Sequence, residues 1–226
     1  MKISSEFSKY ALDYNSYNIV QQKVADKLLS CIKAKPKIIL DLGCGSGTLT
    51  NKISWSYEKI VAVDFAQGML DLHPKHENIE CIYGDFNDEK LFERLKKYNF
   101  DYLLSASALQ WADDLDKTFQ QLQSFHTPVA LAIFTANTFK TLYKTAGLQP
   151  LLIDTCRLDR LQKKYFHANF EVVKYNLEFE NVREMLRYIK KSGVSGSRNV
   201  LSYKEMKKLM KEYPHNYLEF EVAFIY

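Results

Sequence analysis

The chain has 226 residues, of which 46% are hydrophobic and 14% aromatic, enough for one substantial globular core and too apolar for a disordered chain. A net charge of +4 is too small to imply nucleic acid, and no apolar run is long enough to span a bilayer. The opening stretch "MKISSEFSKYALDYN" lacks the apolar core of a secretory signal, so a cytoplasmic protein is expected.

Taken in chain order, residues 5–34 read as helical, with Val20, Val24, Leu28 and Ile32 on one stripe. A strand "KIILDL" follows, then a glycine-rich turn and a helix, roughly "SGTLTNKISWS". "KIVAVD", "IECIYGD", "DYLLSASAL" and "PVALAIF" are further short apolar strands separated by amphipathic segments. That alternation predicts a parallel sheet with crossover helices on both faces, and the unbroken apolar runs suit strands buried on both sides. "FEVVKYNLEFE" and "LEFEVAFIY" predict two last strands in an antiparallel arrangement, separated by a basic helical stretch. With no repeat or linker, one domain is expected over 1–226: a helical cover over 1–34, a ligand-binding core over 37–134, and substrate-side helices and terminal strands over 135–226. Cys31, Cys44, Cys81 and Cys156 lie far apart and form no C-x-x-C pair, which argues against a zinc site or a disulfide frame. The five histidines, His73, His76, His126, His167 and His215, show no metal spacing, and no metal is expected.

A strand that runs into glycines and then a helix is a nucleotide-binding arrangement, because glycine permits unusual backbone angles and lets a ligand approach the main chain. Three details select the ligand. The spacing is G-x-G-x-G over Gly43, Gly45 and Gly47, and Thr48 stands where a dinucleotide fingerprint wants its third glycine. Asp41 would repel a pyrophosphate and attract a cation. Asp64, about 20 residues beyond the glycines, is placed to accept hydrogen bonds from ribose hydroxyls. A phosphate-free, cationic adenosine ligand is S-adenosyl-L-methionine.

"DLGCGSG", "VAVDFAQGML" and "YGDF" resemble, in order and spacing, the first three motifs of the class I S-adenosylmethionine-dependent methyltransferases. The resemblance implies an α/β Rossmann-like fold, a mostly parallel seven-stranded sheet with an antiparallel last strand and helices on both faces. It implies that Asp41 lies at the cofactor, that Gly43, Cys44 and Gly45 line its methionine part, and that Asp64 holds the ribose. Phe65 and Met69 would flank the adenine, and Asp85 would meet its amine with Phe86 adjacent. Cys44 is otherwise a small turn residue with no redox role.

Outside these motifs, "FSKYALDYNSYNIVQQKVADKLL" and "SASALQWADDL" are similar to segments of the malonyl-acyl carrier protein O-methyltransferases of biotin synthesis, the BioC family. Phe7, Tyr14, Gln21 and Ala25 match at characteristic intervals. Leu109, Gln110 and Trp111 match an S-N-x-x-L-Q-W segment that starts at Ser105, with Ala106 in place of its Asn. "YIKKSGVSG" resembles a third segment, with Val194 where Ala is usual. This resemblance implies cofactor contacts for Tyr14, Gln21 and Ser105 and substrate contacts for Gln110 and Trp111.

The reaction the resemblance implies is esterification of a carboxylate, which is already anionic at neutral pH. No general base is required and no catalytic residue is expected; orientation and exclusion of water would supply the rate. Residues 181–213 hold nine Lys or Arg against three acids, a basic region suited to docking an acidic acyl carrier protein carrying malonyl, or else ordinary solvated helix faces. "DTCRLDRLQKKYF", within 150–168, is expected as a lid, and the protein as a monomer. Two other readings stay open: a methyltransferase of a small acid such as trans-aconitate or of a hydroxylated metabolite, and a non-catalytic binding module.

Overall fold

A computed structural model describes residues 17–191 and 203–226. Helix α1 (Ile19–Cys31) precedes β1 (Ile38–Leu42), followed by α2 (Thr48–Lys52), β2 (Lys59–Asp64), α3 (Gln67–Leu72), β3 (Ile79–Tyr83), α4 (Glu89–Leu95) and β4 (Tyr102–Ala106). A single 3-10 turn (Leu109–Trp111) leads to α5 (Leu115–Gln123), β5 (Val129–Phe134), α6 (Lys140–Ala146) and α7 (Thr155–Tyr165). The chain then forms β6 (Phe170–Glu178), α8 (Val182–Lys191), α9 (Tyr203–Glu212) and β7 (Tyr217–Ile225). The strands make one sheet in the order β3-β2-β1-β4-β5-β7-β6, in which β7 alone runs antiparallel to its neighbours.

The unbroken apolar strands are explained by their two covered faces. Alternate side chains point to opposite sides of a strand, so Ile39, Ile60, Ala62, Leu104, Ala132 and Phe134 enter one layer with α1, α8 and α9. Leu40, Val61, Val63, Leu103, Leu131 and Ile133 enter the other, against Phe92, Phe119 and Leu158 of α4, α5 and α7. The expected stripe of α1 is the buried one: Val20, Val24, Leu28 and Ile32 all lie inside. Among the described residues no helix is long and apolar enough to cross a membrane.

Two expectations are corrected. The helix after the glycine turn stops at Lys52, because Ile53 is extended and the Trp55 indole N–H donates to the Pro36 carbonyl at 3.1 Å, tying this segment to the start of β1. Nor is 150–168 a cover over the ligand cleft. Asp154 caps α7 by accepting from the Cys156 and Arg157 amides, Leu158 is fully buried in the second layer, and Phe166 packs edge-on against Phe119 of α5 at 5.1 Å. The amphipathic pattern that suggested a lid is that of a helix docked on the sheet.

Glu221 of β7 fastens the rim where β5 ends. Its carboxylate accepts from the Thr135 hydroxyl (2.7 Å), the Asn137 amide (2.9 Å) and the Thr155 hydroxyl (2.8 Å), joining β7 to the turn after β5 and to the start of α7. Burial opposes its ionisation, but these three donors and Lys174 outweigh burial and hold the carboxyl below its usual range. Replacing Glu221 by Ala strips three donors of one acceptor and is expected to cost about 2–4 kcal/mol, whereas Glu221→Gln, which keeps an acceptor oxygen, should lose less than half of that. Urea denaturation of the two variants checks the order.

Candidate active site

β1 is buried between β2 and β4, and the chain leaves it through the glycine turn. The amides of Gly43 and Cys44 both donate to the Val63 carbonyl, at 2.8 and 3.0 Å, so the turn leans onto β2. Gly43, Gly45 and Gly47 have φ of +76°, +55° and +86°. The every-second-residue spacing is thus a backbone that returns to the left-handed region three times, which glycine alone does without strain. A Cβ on Gly43 would lie 2.2 Å from the Cβ of Ala108, so this turn and the one after β4 touch.

The Gly45 amide donates to Asp64 Oδ2 at 2.9 Å, and the Ala66 amide to Oδ1 at 2.8 Å. A glycine-turn amide that would face a phosphate in a phosphate-binding loop is here taken by the chain's own carboxylate. Each oxygen of a carboxylate can accept twice, which leaves Asp64 acceptor capacity for ligand hydroxyls. Burial raises its pKa, the Ala66, Gly45 and Phe65 amides counter that, and the charge of Asp85 adds to the rise.

Asp41 sits one strand away, 2% exposed, and neither of its carboxylate oxygens has a hydrogen-bond partner among the described residues. Burial first and the nearby Asp64 second push its pKa from 3.8 up to about 7. Both acids line a cleft of about 700 Å³, its open mouth included, over the carboxyl ends of the central strands. The lining contains no Lys, Arg or His among the described residues. Buried carboxylates require a compensating charge or donors, so the donor set fits a ligand that brings a cation and hydroxyl groups and does not fit a polyphosphate. The Gln21 side-chain oxygen, buried in the same lining and without a partner among the described residues, is one more acceptor open to a donor.

Of the residues singled out from sequence, Gln21, Asp41, Gly43, Cys44, Gly45, Asp64, Phe65, Met69, Phe86 and Trp111 are brought together in this lining. Burial and the charges of Asp41 and Asp64 push the Cys44 thiol well above its usual range, so it stays a neutral thiol. Three others stand outside the lining. Asp85 is exposed and accepts from the Asn87 amides. Ser105 is buried and donates to the Leu42 carbonyl at 2.7 Å, linking β4 to the end of β1. Gln110 donates to the Ser107 carbonyl at 2.6 Å. Tyr14 lies outside the described residues.

Sequence reasoning passed over Ser107, which lines the cleft with φ +60° and a buried hydroxyl that has no partner among the described residues. The only signal available was its position two residues beyond Ser105 at a strand end.

The strand order, the single antiparallel strand and the acid-flanked glycine turn define a class I, Rossmann-like methyltransferase. Residues 39–128 match the family model described as "Methyltransferase domain". A malonyl-[acyl-carrier protein] O-methyltransferase of Halalkalibacterium halodurans is 31% identical over 93% of this chain and 88% of its own length. The chain belongs to the malonyl-[acyl-carrier protein] O-methyltransferase family. Among solved structures, a Bacillus halodurans C-125 protein assigned as a methyltransferase superimposes with a TM-score of 0.61 at 12% identity, over 89% of this chain and 96% of that one. A phosphoethanolamine N-methyltransferase 2 of Haemonchus contortus, in complex with S-adenosyl-L-methionine, does so with a TM-score of 0.52 at 15% identity, over 89% and 51%.

The raised pKa of Asp41 sets a pH dependence. Between 3.8 and about 7 the folded chain keeps this proton and the unfolded chain has lost it, so stability conferred by the neutral acid is full below 3.8 and declines as pH rises to about 7, by about 4 kcal/mol. A cationic ligand beside Asp41 favours the ionised form and expels the proton. Binding of S-adenosyl-L-methionine should therefore be about tenfold tighter at pH 8 than at pH 6, with proton release detectable by calorimetry in two buffers. Asp41→Asn should abolish the release.

Proposed function

We propose that this methyltransferase uses S-adenosyl-L-methionine to esterify the free carboxyl of malonyl carried on an acyl carrier protein. The observation that carries the cofactor half is the pair of buried carboxylates, Asp41 and Asp64, in a cleft whose described lining holds no cation. Membership of a family whose curated members bear that name, with 31% identity along nearly the whole chain, supports the substrate half.

The cofactor supplies a methyl group on a sulfonium, open to in-line displacement. Asp64 accepts from the ribose hydroxyls with the lone pairs its backbone amides leave over, and Asp41 offers its unpartnered oxygens to the cationic end. Gly43, Cys44 and Gly45 let the ligand lie against bare backbone, and Phe65, Met69 and Phe86 supply apolar flanks for the adenine. Ser105 acts through Leu42, fixing the end of β1. Trp111 closes the substrate side.

No residue needs to move a proton. The substrate carboxylate ionises near a pKa of roughly 4, so it arrives as the nucleophile. The protein's work is to hold the two reactants in line and to exclude water, and the opposite charges of nucleophile and sulfonium cancel as they react.

The carrier would dock on α8 and α9. Arg183, Arg187, Lys204, Lys207, Lys208 and Lys211 are exposed on these helices, and α8 packs through Tyr188 on the segment just ahead of α1, the two rings of Tyr188 and Tyr17 lying 6.1 Å apart. Arg198 of the same basic region lies outside the described residues. Reversing Lys207 and Lys211 to Glu should raise KM for the protein-borne substrate several-fold, mostly at low salt, and leave cofactor affinity alone.

Incubation with methyl-labelled cofactor and malonyl-acyl carrier protein tests the whole reading: a base-labile labelled ester is expected, and labelling of free trans-aconitate in its place would move the assignment to a small-acid methyltransferase. Asp64→Ala should weaken cofactor binding at least about tenfold, the loss of hydrogen bonds to a charged acceptor.

A further inference from the structure

The geometry points to Ser107 as the residue that reads the substrate carboxylate, with a neutral hydroxyl in place of a lysine or arginine. The inference rests on the carboxyl O-methyltransferase reading above and adds to it the group that selects an anion.

An anionic substrate must enter a cleft that already holds two acids, and the described lining offers no Lys, Arg or His to receive it. The methyl-bearing cation attracts the carboxylate but has no hydrogen to donate from sulfur, so orientation has to come from neutral donors. Ser107 Oγ is such a donor: the residue lines the cleft, and its buried hydroxyl has no hydrogen-bond partner among the described residues. Burying a hydroxyl without a partner is costly, and such a group in a ligand cleft is a donor kept for the ligand.

The backbone supports the same assignment. Ser107 has φ +60°, left-handed for a residue with a side chain, a conformation that persists only where the surroundings impose it. Two bonds impose it here. The Ser107 amide donates to the Ala132 carbonyl of β5 at 2.9 Å, and its own carbonyl accepts from Gln110 at 2.6 Å. Gln110 is thereby a positioning residue for Ser107.

The position favours the substrate over the cofactor. Asp41 and Asp64 end neighbouring strands, β1 and β2, while Ser107 leaves β4 and is bonded to β5 on the far side from β2. An in-line transfer places nucleophile and leaving sulfur on opposite sides of the methyl carbon, and Ser107 stands across β1 from Asp64, the acid assigned to the ribose.

The test compares wild type with Ser107→Ala, Ser107→Gly and Ser107→Asn, using malonyl-acyl carrier protein and S-adenosyl-L-methionine, with S-adenosylhomocysteine affinity measured separately by calorimetry. Ala and Gly should each raise KM for the acyl substrate about tenfold or more with kcat and S-adenosylhomocysteine affinity within about threefold of wild type. Gly relieves any left-handed strain, so an equal loss in both variants isolates the hydroxyl. Asn tolerates the left-handed region and carries a donor, and should restore most of the affinity. An unchanged KM in Ser107→Ala overturns the inference, and so does a loss confined to S-adenosylhomocysteine affinity, which would give the hydroxyl to the cofactor. If wild type itself esterifies no malonyl thioester, the proposed function fails and this assignment with it, whereas normal wild-type turnover with an indifferent Ser107→Ala removes this assignment alone.

Discussion

Two carboxylates buried together, with no Lys, Arg or His beside them in the described lining of the cleft, are the constraint on which the rest of this structure turns. Burial and the charge of Asp64 raise the cost of ionising Asp41, burial and the charge of Asp85 that of Asp64, and the fold keeps both acids near the carboxyl ends of neighbouring buried strands. Such a pair is tolerated because the sheet around it leaves the strands no alternative register: shifting β1 by one residue would turn Asp41 into the second core layer and Leu40 and Leu42 out of it. The alternate left-handed glycines belong to the same arrangement, since they bring the Gly45 amide onto Asp64 and leave Asp41 for an external partner. A glycine turn of this kind therefore suits a cationic nucleoside, whereas a similar turn without the acids suits phosphate.

The two halves of the sheet divide the work. β1, β2 and β3 carry the acids and the apolar flanks, while β4 and β5 with their following turns carry Ser107 and Trp111. They are locked across the middle by Ser105, which donates to the Leu42 carbonyl, and by the contact of Gly43 with Ala108. The two groups of cleft residues are thus registered by contacts at the strand ends between them. Sharing a fold does not share a reaction: a [4+2]-cyclase superimposes on this chain with a TM-score of 0.53 at 10% identity, and the difference must lie in side chains at the strand ends.

The sheet order and its two helical layers were legible in the sequence because continuous apolar strands alternating with amphipathic helices have few other solutions. The clustering of Asp41, Asp64, Phe65 and Met69 was legible because each lies at or just beyond the carboxyl end of a strand, and neighbouring strands of a parallel sheet bring those ends to one edge. Asp85 also follows a strand, but that strand is at the sheet's edge, and a local bond to Asn87 turns its carboxylate to solvent. Ser105 and Gln110 were read from a matched segment whose residues prove to bond backbone, and a sequence match does not distinguish a residue that touches ligand from one that braces its neighbour. The course of α7 was hidden for a related reason: an amphipathic helix has one apolar face whether it covers a ligand or a sheet, and only Leu158 and Phe166 in place decide which. Ser107 was hidden because left-handed serine has no sequence signature.

The placing of β7 has a consequence for how the chain is made. Residues 217–225 are hydrogen-bonded on both flanks, to β5 and to β6, which do not pair with each other. During translation the first five strands and their helices can assemble while the edge of β5 stands bare and β6 has nothing to join. Closure of that gap waits for the latest-synthesised strand, so the nascent chain carries an open, adhesive sheet edge until then. Chaperone capture of ribosome-bound intermediates would concentrate in that interval.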